Sequence, residues 1–151
     1  MIRDWGLGIR DSIAALVAAF NRGSLDVPAH FFTPRTTFSL NNRSYESILG
    51  GSPDEPLIRL LARGAAGYRT AAKALQYALQ GPIIAVESLS EPDASGVLVA
   101  SIRVEGQFRD SGHPFTGRAS LRLVCAEGEL MSIDVVCAEE DLARIAESRR
   151  A

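Results

Sequence analysis

The sequence predicts an α+β fold in which N-terminal helices pack into a strongly bent, mostly antiparallel sheet. Three observations lead there. Apolar residues recur at helical spacing as far as Leu79, and from Ile83 the pattern changes to the alternation of strands, which continues to Cys137. Helices first and hairpin-linked strands afterwards is the α+β order, not the strand–helix alternation of a parallel sheet. The length, 151 residues with 46% hydrophobic, is that of one ordinary domain, which buries about 70% of its unfolded surface. Residues 1–151 therefore read as a single domain without repeat or linker.

The elements follow in order. Ile13, Leu16, Val17 and Phe20 give a first helix over Ile9–Arg22, stopped by Gly23. A short helical segment is expected over Leu25–Phe32, ended by Pro34. Thr36–Leu40 is rich in β-branched and aromatic residues and reads as a strand, and Asn41–Ser44 turns the chain. Ser52-Pro53-Asp54-Glu55 has the form of a capping box with proline at the first helical position. The helix it opens carries an apolar stripe of Leu57, Leu60 and Leu61. Gly64 and Gly67 break it before a second piece, Tyr68–Leu79, which Gly81-Pro82 terminates. Strands are expected over Ile83–Leu89, Val97–Phe108, Phe115–Cys125 and Leu130–Cys137, with a charged tail over Ala138–Ala151 that reads as a short helix or a frayed end. Gly50-Gly51-Ser52 lacks the lysine and spacing of a phosphate loop and reads as a turn.

Strand register follows from the apolar faces, because a slip of one residue sends every side chain to the other face. In the last hairpin Leu121 and Leu123 share odd numbering with Met131, Ile133 and Val135. A three-residue loop, Ala126–Gly128, pairs odd with odd, Leu123 with Met131 and Leu121 with Ile133. In the preceding hairpin a turn at Ser111-Gly112 sets Phe108 against Phe115 and Gly106 against Gly117, a thin spot where the sheet can bend. The other face collects Arg103, Glu105, Arg118, Arg122 and Asp134. This reads as a solvated charge ladder or as a polar homodimer interface. Cys125 and Cys137 fall roughly 20 Å apart along the hairpin at ~3.3 Å per residue, beyond the ~7 Å a disulfide tolerates, and are expected as free thiols.

Composition removes several function classes. Sixteen basic residues stand against 18 acidic, for a net charge of −2, so no concentrated basic face calls for nucleic acid. No apolar run approaches the ~20 residues of a membrane helix, and the N-terminus lacks the pattern of a secretory signal. The chain reads as cytoplasmic. Two cysteines and two histidines form no metal spacing, and there is no dinucleotide or phosphate-loop fingerprint, so neither metal nor cofactor is expected.

An amphipathic first helix, a segment ending Phe31-Phe32-Thr33-Pro34, a strand entering Asn41-Asn42-Arg43-Ser44-Tyr45, and long antiparallel strands from Val104 to Leu123 together resemble the nuclear transport factor 2-like superfamily, the cystatin-like cone that includes SnoaL-like cyclases and ketosteroid isomerases. The resemblance runs from Ile9 to Val136 and rests on element order, with no diagnostic motif. It implies a cone with an apolar mouth for a small molecule, lined by Phe38, Leu40, Ile102, Val104, Leu121, Leu123 and Ile133, with Phe20 and Phe32 closing the sides. It also implies a carboxylate near the end of the first strand in isomerase members, where this chain has Ser39-Leu40-Asn41-Asn42. The candidate polar groups are His30, Tyr68 and Tyr77. Trp5 either covers the mouth or anchors the terminus, and His113 is a solvated turn residue. Two readings stand: an isomerase, dehydratase or cyclase acting on an apolar substrate, and a ligand-binding or dimeric module of the same fold without chemistry.

Overall fold

The computed structural model describes residues 2–28, 30–50 and 56–150, with side chains for 8–28, 30–50, 56–58 and 60–147. The expected cap at Ser52–Glu55, the turn at Gly51 and the side chain of Trp5 lie outside the described residues.

Helix α1 (Ile2–Asn21) starts earlier than its apolar periodicity required. It buries Ile9, Ile13 and Phe20. The helix expected over Leu25–Phe32 does not form among the described residues. Pro28 donates no backbone hydrogen bond and pushes its predecessor toward extended geometry, and the Ser24 hydroxyl takes the Asp26 amide at 3.1 Å. His30 then stands in a turn at φ 65°.

Strands β1 (Thr37–Leu40) and β2 (Arg43–Ser44) are joined by Asn41-Asn42. Both asparagines have positive φ, 49° and 68°, which asparagine tolerates better than most residues. Ser44 caps a one-turn helix α2 (Tyr45–Ile48), its hydroxyl accepting from the Ser47 amide. Helices α3 (Pro56–Ala62) and α4 (Gly64–Ala78) follow. The break falls at Arg63-Gly64, earlier than expected. Gly64 sits at φ 62°, and a Cβ there would stand 2.8 Å from the Thr33 carbonyl oxygen. The stripe of Leu57, Leu60 and Leu61 faces solvent, at 65%, 68% and 44% exposure.

The sheet adds β3 (Leu79–Leu89), β4 (Val97–Phe108), β5 (Pro114–Ala126) and β6 (Glu129–Cys137), and the chain continues into α5 (Glu139–Arg150). Spatial order is β2-β1-β6-β5-β4-β3. β1 lies parallel to β6 and every other pair is antiparallel. Gly81-Pro82 does not end a helix; it sits in an irregularity of β3 between Gln80 and Ile83.

The faces fall as alternation requires, but both hairpin registers differ from expectation. The β5–β6 turn holds two residues, Glu127 and Gly128, both at positive φ, with Ala126 opposite Glu129. Odd meets odd through a bulge instead of a longer loop. Cys125 pairs with Leu130 and Val124 with Ser132, so Leu130 turns inward and is buried while Met131 turns out. Leu123 then faces Ile133, and Leu121 faces Val135. In the β4–β5 hairpin Gln107 pairs with Pro114, setting Gly106 against Phe115 and Val104 against Gly117. The chain needs the wider loop because the Phe108 amide bonds the His113 carbonyl at 2.9 Å and Gly112 donates back to Phe108 at 2.8 Å. Both cysteines are free, Cys137 pairing with Ala119.

Two asparagine side chains act as extra rungs. Asn21 holds both backbone groups of Ile84, donating at 3.0 Å and accepting at 2.8 Å, which ties the end of α1 to β3. Asn41 holds both backbone groups of Cys137 at 2.9 Å each and also reaches Glu139 at 2.8 Å.

Two buried clusters fill the concave side. One joins Ile9 and Ile13 of α1 to Phe31, Phe38, Leu98, Ala100, Leu123, Leu130 and Ile133. The other joins Ala78, Leu79, Val104, Phe108 and Phe115, with Ile145 of α5 packed against it.

Candidate functional site: an open strip between two cores

Alternation aims Leu98 through Phe108 on β4, and Phe115 through Leu123 on β5, at the concave side. The two ends of these rows are buried, but the middle is not. Leu40, Ile102, Ala119, Leu121 and Val135 point inward and are only half-buried. Leu121 and Val135 pack against the first cluster and Ile102 against the second, so these half-buried side chains form an apolar strip between the two.

One wall of this strip is aromatic. Tyr68 of α4 stacks on Phe32 with ring centroids 5.6 Å apart, and Phe32 meets Phe31 and Phe38 at 4.8 and 5.8 Å. Phe38 in turn stacks on Tyr45 at 5.1 Å. Neither phenol makes a hydrogen bond among the described residues, although buried tyrosine hydroxyls ordinarily find a partner. Burial, with a smaller contribution from Cys137, pushes the Tyr45 hydroxyl up to about 12. Burial also raises that of Tyr68, against a smaller lowering by Arg69. Both therefore stay protonated donors at neutral pH.

At one end of the strip stand Cys137 and Asp141. Burial raises the Cys137 thiol, and the negative charges of Asp141 and Glu139 raise it further. Asp141, in the first turn of α5, sets its Oδ2 over inward-facing Gly117, 3.1 Å from where a Cβ would stand. That Cβ would also meet the Phe115 ring at 2.7 Å, so only glycine leaves the niche. Beside Tyr45, Glu46 is buried and accepts from the Arg63 Nε at 2.8 Å, which ties α2 to the start of α4.

Among the polar sequence candidates, only Tyr68 stands on this wall. His30 is exposed in its turn and Tyr77 is 77% exposed. Leu40, Ile102 and Leu121 lie in the strip and Phe32 in the wall, while Phe20, Phe38, Val104, Leu123 and Ile133 are buried. Tyr45, Glu46, Arg63, Cys137 and Asp141 carry no motif. Their only sequence signal is polarity next to apolar turns, and topology brings them together. Arg103, Glu105 and Asp134 face outward. Arg103 contacts Glu87 and Glu105, Arg118 bonds Glu87, and Arg122 faces Asp134. The Arg103 Nε is 2.9 Å from Glu105, but it points off the hydrogen-bond line and so makes an ionic contact only.

A separate shallow groove of about 190 Å³ lies at the β4–β5 loop, lined by Phe108, Asp110, Ser111, His113, Arg144 and Glu147. It is open and shares no residue with the strip. Among the described residues no three metal-binding side chains gather, and no helix is long and apolar enough to cross a membrane.

The α+β cone, with its helices in the curl of a six-stranded mixed sheet, is a fold shared with solved structures described as NTF2-like and SnoaL-like. Solved structures match it across nearly the whole chain. AclR, a candidate hydroxylase from Streptomyces galilaeus, aligns with a TM-score of 0.65 at 12% identity, over 94% of this chain and 87% of its own. A candidate SnoaL-like polyketide cyclase from Jannaschia sp. CCS1 aligns at 0.61 and 14% identity, over 93% and 90%. An NTF2-like protein from Burkholderia thailandensis E264 aligns at 0.64 and 15% identity, over 90% and 95%. No protein-family model and no curated protein matches the sequence.

Proposed function

We propose that this chain, as one domain, binds an apolar small molecule in the strip between its two cores and acts on it in the manner of the cyclases among its structural neighbours. The observation that carries this reading is the pair of phenols, Tyr45 and Tyr68, without a hydrogen bond among the described residues, on an aromatic wall beside half-buried inward aliphatics. A bound molecule would cover Leu40, Ile102, Leu121 and Val135 and give its oxygen atoms to the two hydroxyls. Burying apolar area at ~25 cal/mol per Å² supplies the affinity, and two hydrogen bonds set orientation. Isothermal titration with a planar polycyclic phenol tests it. Binding should be lost in Leu121→Trp, which fills the strip, and weakened in Tyr45→Phe and Tyr68→Phe. Undiminished binding by Leu121→Trp refutes the site.

The second reading is a binding module without chemistry, favoured by the absence of histidine from the strip among the described residues. Turnover of such a phenol's open-chain precursor separates the two. The outer face, with Val99 and Val136 exposed between the ion pairs, supports a homodimer through that face. Val136→Arg should then shift the mass seen by light scattering from dimer to monomer.

A further inference from the structure

The polar end of the strip has a one-sided charge, and that restricts what it admits. Among the described residues whose side chains reach the strip, the ionisable groups are the two phenols, the Cys137 thiol and the Asp141 carboxylate. Arg63 is matched by Glu46. Arg144, one turn beyond Asp141, is seated over Phe108 and Phe115 at 5.0 and 5.4 Å and lines the separate groove. The Asp141 carboxylate occupies the niche that Gly117 leaves on the concave face, and the largely buried Tyr45 hydroxyl near the same end makes no hydrogen bond among the described residues.

Resting on the binding reading above, we propose that the strip selects apolar compounds ending in a hydrogen-bond donor, an amine or a hydroxyl, and rejects carboxylates, with Asp141 as the accepting group. An anion brought to this end would meet the carboxylate at short range, and like charges repel. An ammonium or hydroxyl would instead donate to Asp141 Oδ2, and a hydroxyl oxygen could accept from Tyr45 in turn. Gly117 is the residue that permits this. With any larger residue, the Phe115 ring or the carboxylate must move.

Three ligands of one shape decide the matter: 2-naphthylmethylamine, 2-naphthalenemethanol and 2-naphthoate, titrated calorimetrically into the full chain at pH 7 and low salt. The amine and alcohol should bind, with naphthoate at least about tenfold weaker. Asp141→Asn should bring amine and naphthoate within about threefold of each other while the alcohol keeps its affinity. The variant should retain the wild-type melting curve, since Asp141 lies in the partly exposed first turn of α5. Naphthoate binding as tightly as the amine, with Leu121→Trp still blocking the alcohol, overturns the charge rule and leaves the strip standing. If the same result is abolished by Arg144→Gln, the polar end belongs to Arg144. Failure of all three ligands, or binding that Leu121→Trp leaves intact, overturns the strip itself.

Discussion

Replacing Asn41 with glycine tests how the end of the sheet is held, because it removes the side chain without straining the backbone. Asn41 has φ 49°, a region glycine enters freely. The substitution deletes the bond from Asn41 Nδ2 to the Cys137 carbonyl and the bond from the Cys137 amide to Asn41 Oδ1. At about 1 kcal/mol each these account for ~2 kcal/mol. The extra chain entropy of glycine adds ~0.5 kcal/mol, and the exposed bond to Glu139 adds little. A loss of about 2.5 kcal/mol corresponds to a fall in Tm of roughly 5–10 °C for a domain of this size. Urea unfolding measures it, with Asn42→Gly as control, since Asn42 also has positive φ and makes no side-chain bond among the described residues. Because only Ala138 separates Cys137 from α5, the amides of 139–147 should also exchange faster with solvent in the variant. A loss below 0.5 kcal/mol in Asn41→Gly would show that β6 ends correctly without the clamp, and the reasoning would fail.

Other outcomes follow from the same contacts. Tyr45→Phe should leave stability within about 0.5 kcal/mol of wild type, since the hydroxyl gives up no hydrogen bond among the described residues; a loss above 1 kcal/mol in urea would reveal a partner. Leu98→Ala, at a fully buried position, should cost about 3–4 kcal/mol by the same measurement. Gly67→Ala would set a Cβ 2.5 Å from the Ala62 carbonyl oxygen and should destabilise by more than ~2 kcal/mol, whereas Gly8→Ala in open space on α1 should stabilise by about 0.5–1 kcal/mol. Burial pushes the Cys125 thiol up to about 12, and Tyr45 likewise. Both are neutral acids favoured in the fold, so their stabilisation is complete below their ordinary values and lost as pH rises toward 12. Thermal melts should hold level through pH 8 and fall steeply above pH 10, and iodoacetamide should label Cys125 slowly at pH 8 until the chain unfolds.

The faces of the sheet were legible because alternation has a period of two and one side must be apolar. Arg103, Glu105 and Asp134 face outward as that rule requires. The registers were harder to read. A two-residue turn at Glu127-Gly128 pairs odd with even unless a bulge reverses the parity, and such a bulge leaves no mark in the sequence beyond a buried Leu130 beside an exposed Met131. The Leu25–Phe32 helix failed for a local reason, Pro28 together with the Ser24 side chain. Apolar composition alone could not weigh that reason against Val27, Phe31 and Phe32.

The fold depends on parity, but the site depends on register, and this is why one was more readable than the other. A shift of two residues keeps every side chain on its face, yet moves each cross-strand partner about 7 Å along the strand at ~3.3 Å per residue. In the β4–β5 hairpin that shift separates the two glycines expected to face each other. Gly106 meets Phe115 instead, and Gly117 meets Val104, which turns an expected weak point of the sheet into a niche beside a ring. The niche matters only because α5 returns there, and α5 is a charged terminal helix whose composition gives no hint of where it packs. Asp141 and Tyr45 therefore become neighbours of the strip through two long-range facts, the register of β5 and the docking of α5. Side-chain patterning within a single element contains neither fact. Of the polar groups at the strip, only Tyr68 stands on a helix whose spacing marks it; Tyr45 and Asp141 come from a one-turn helix and from the C-terminal helix.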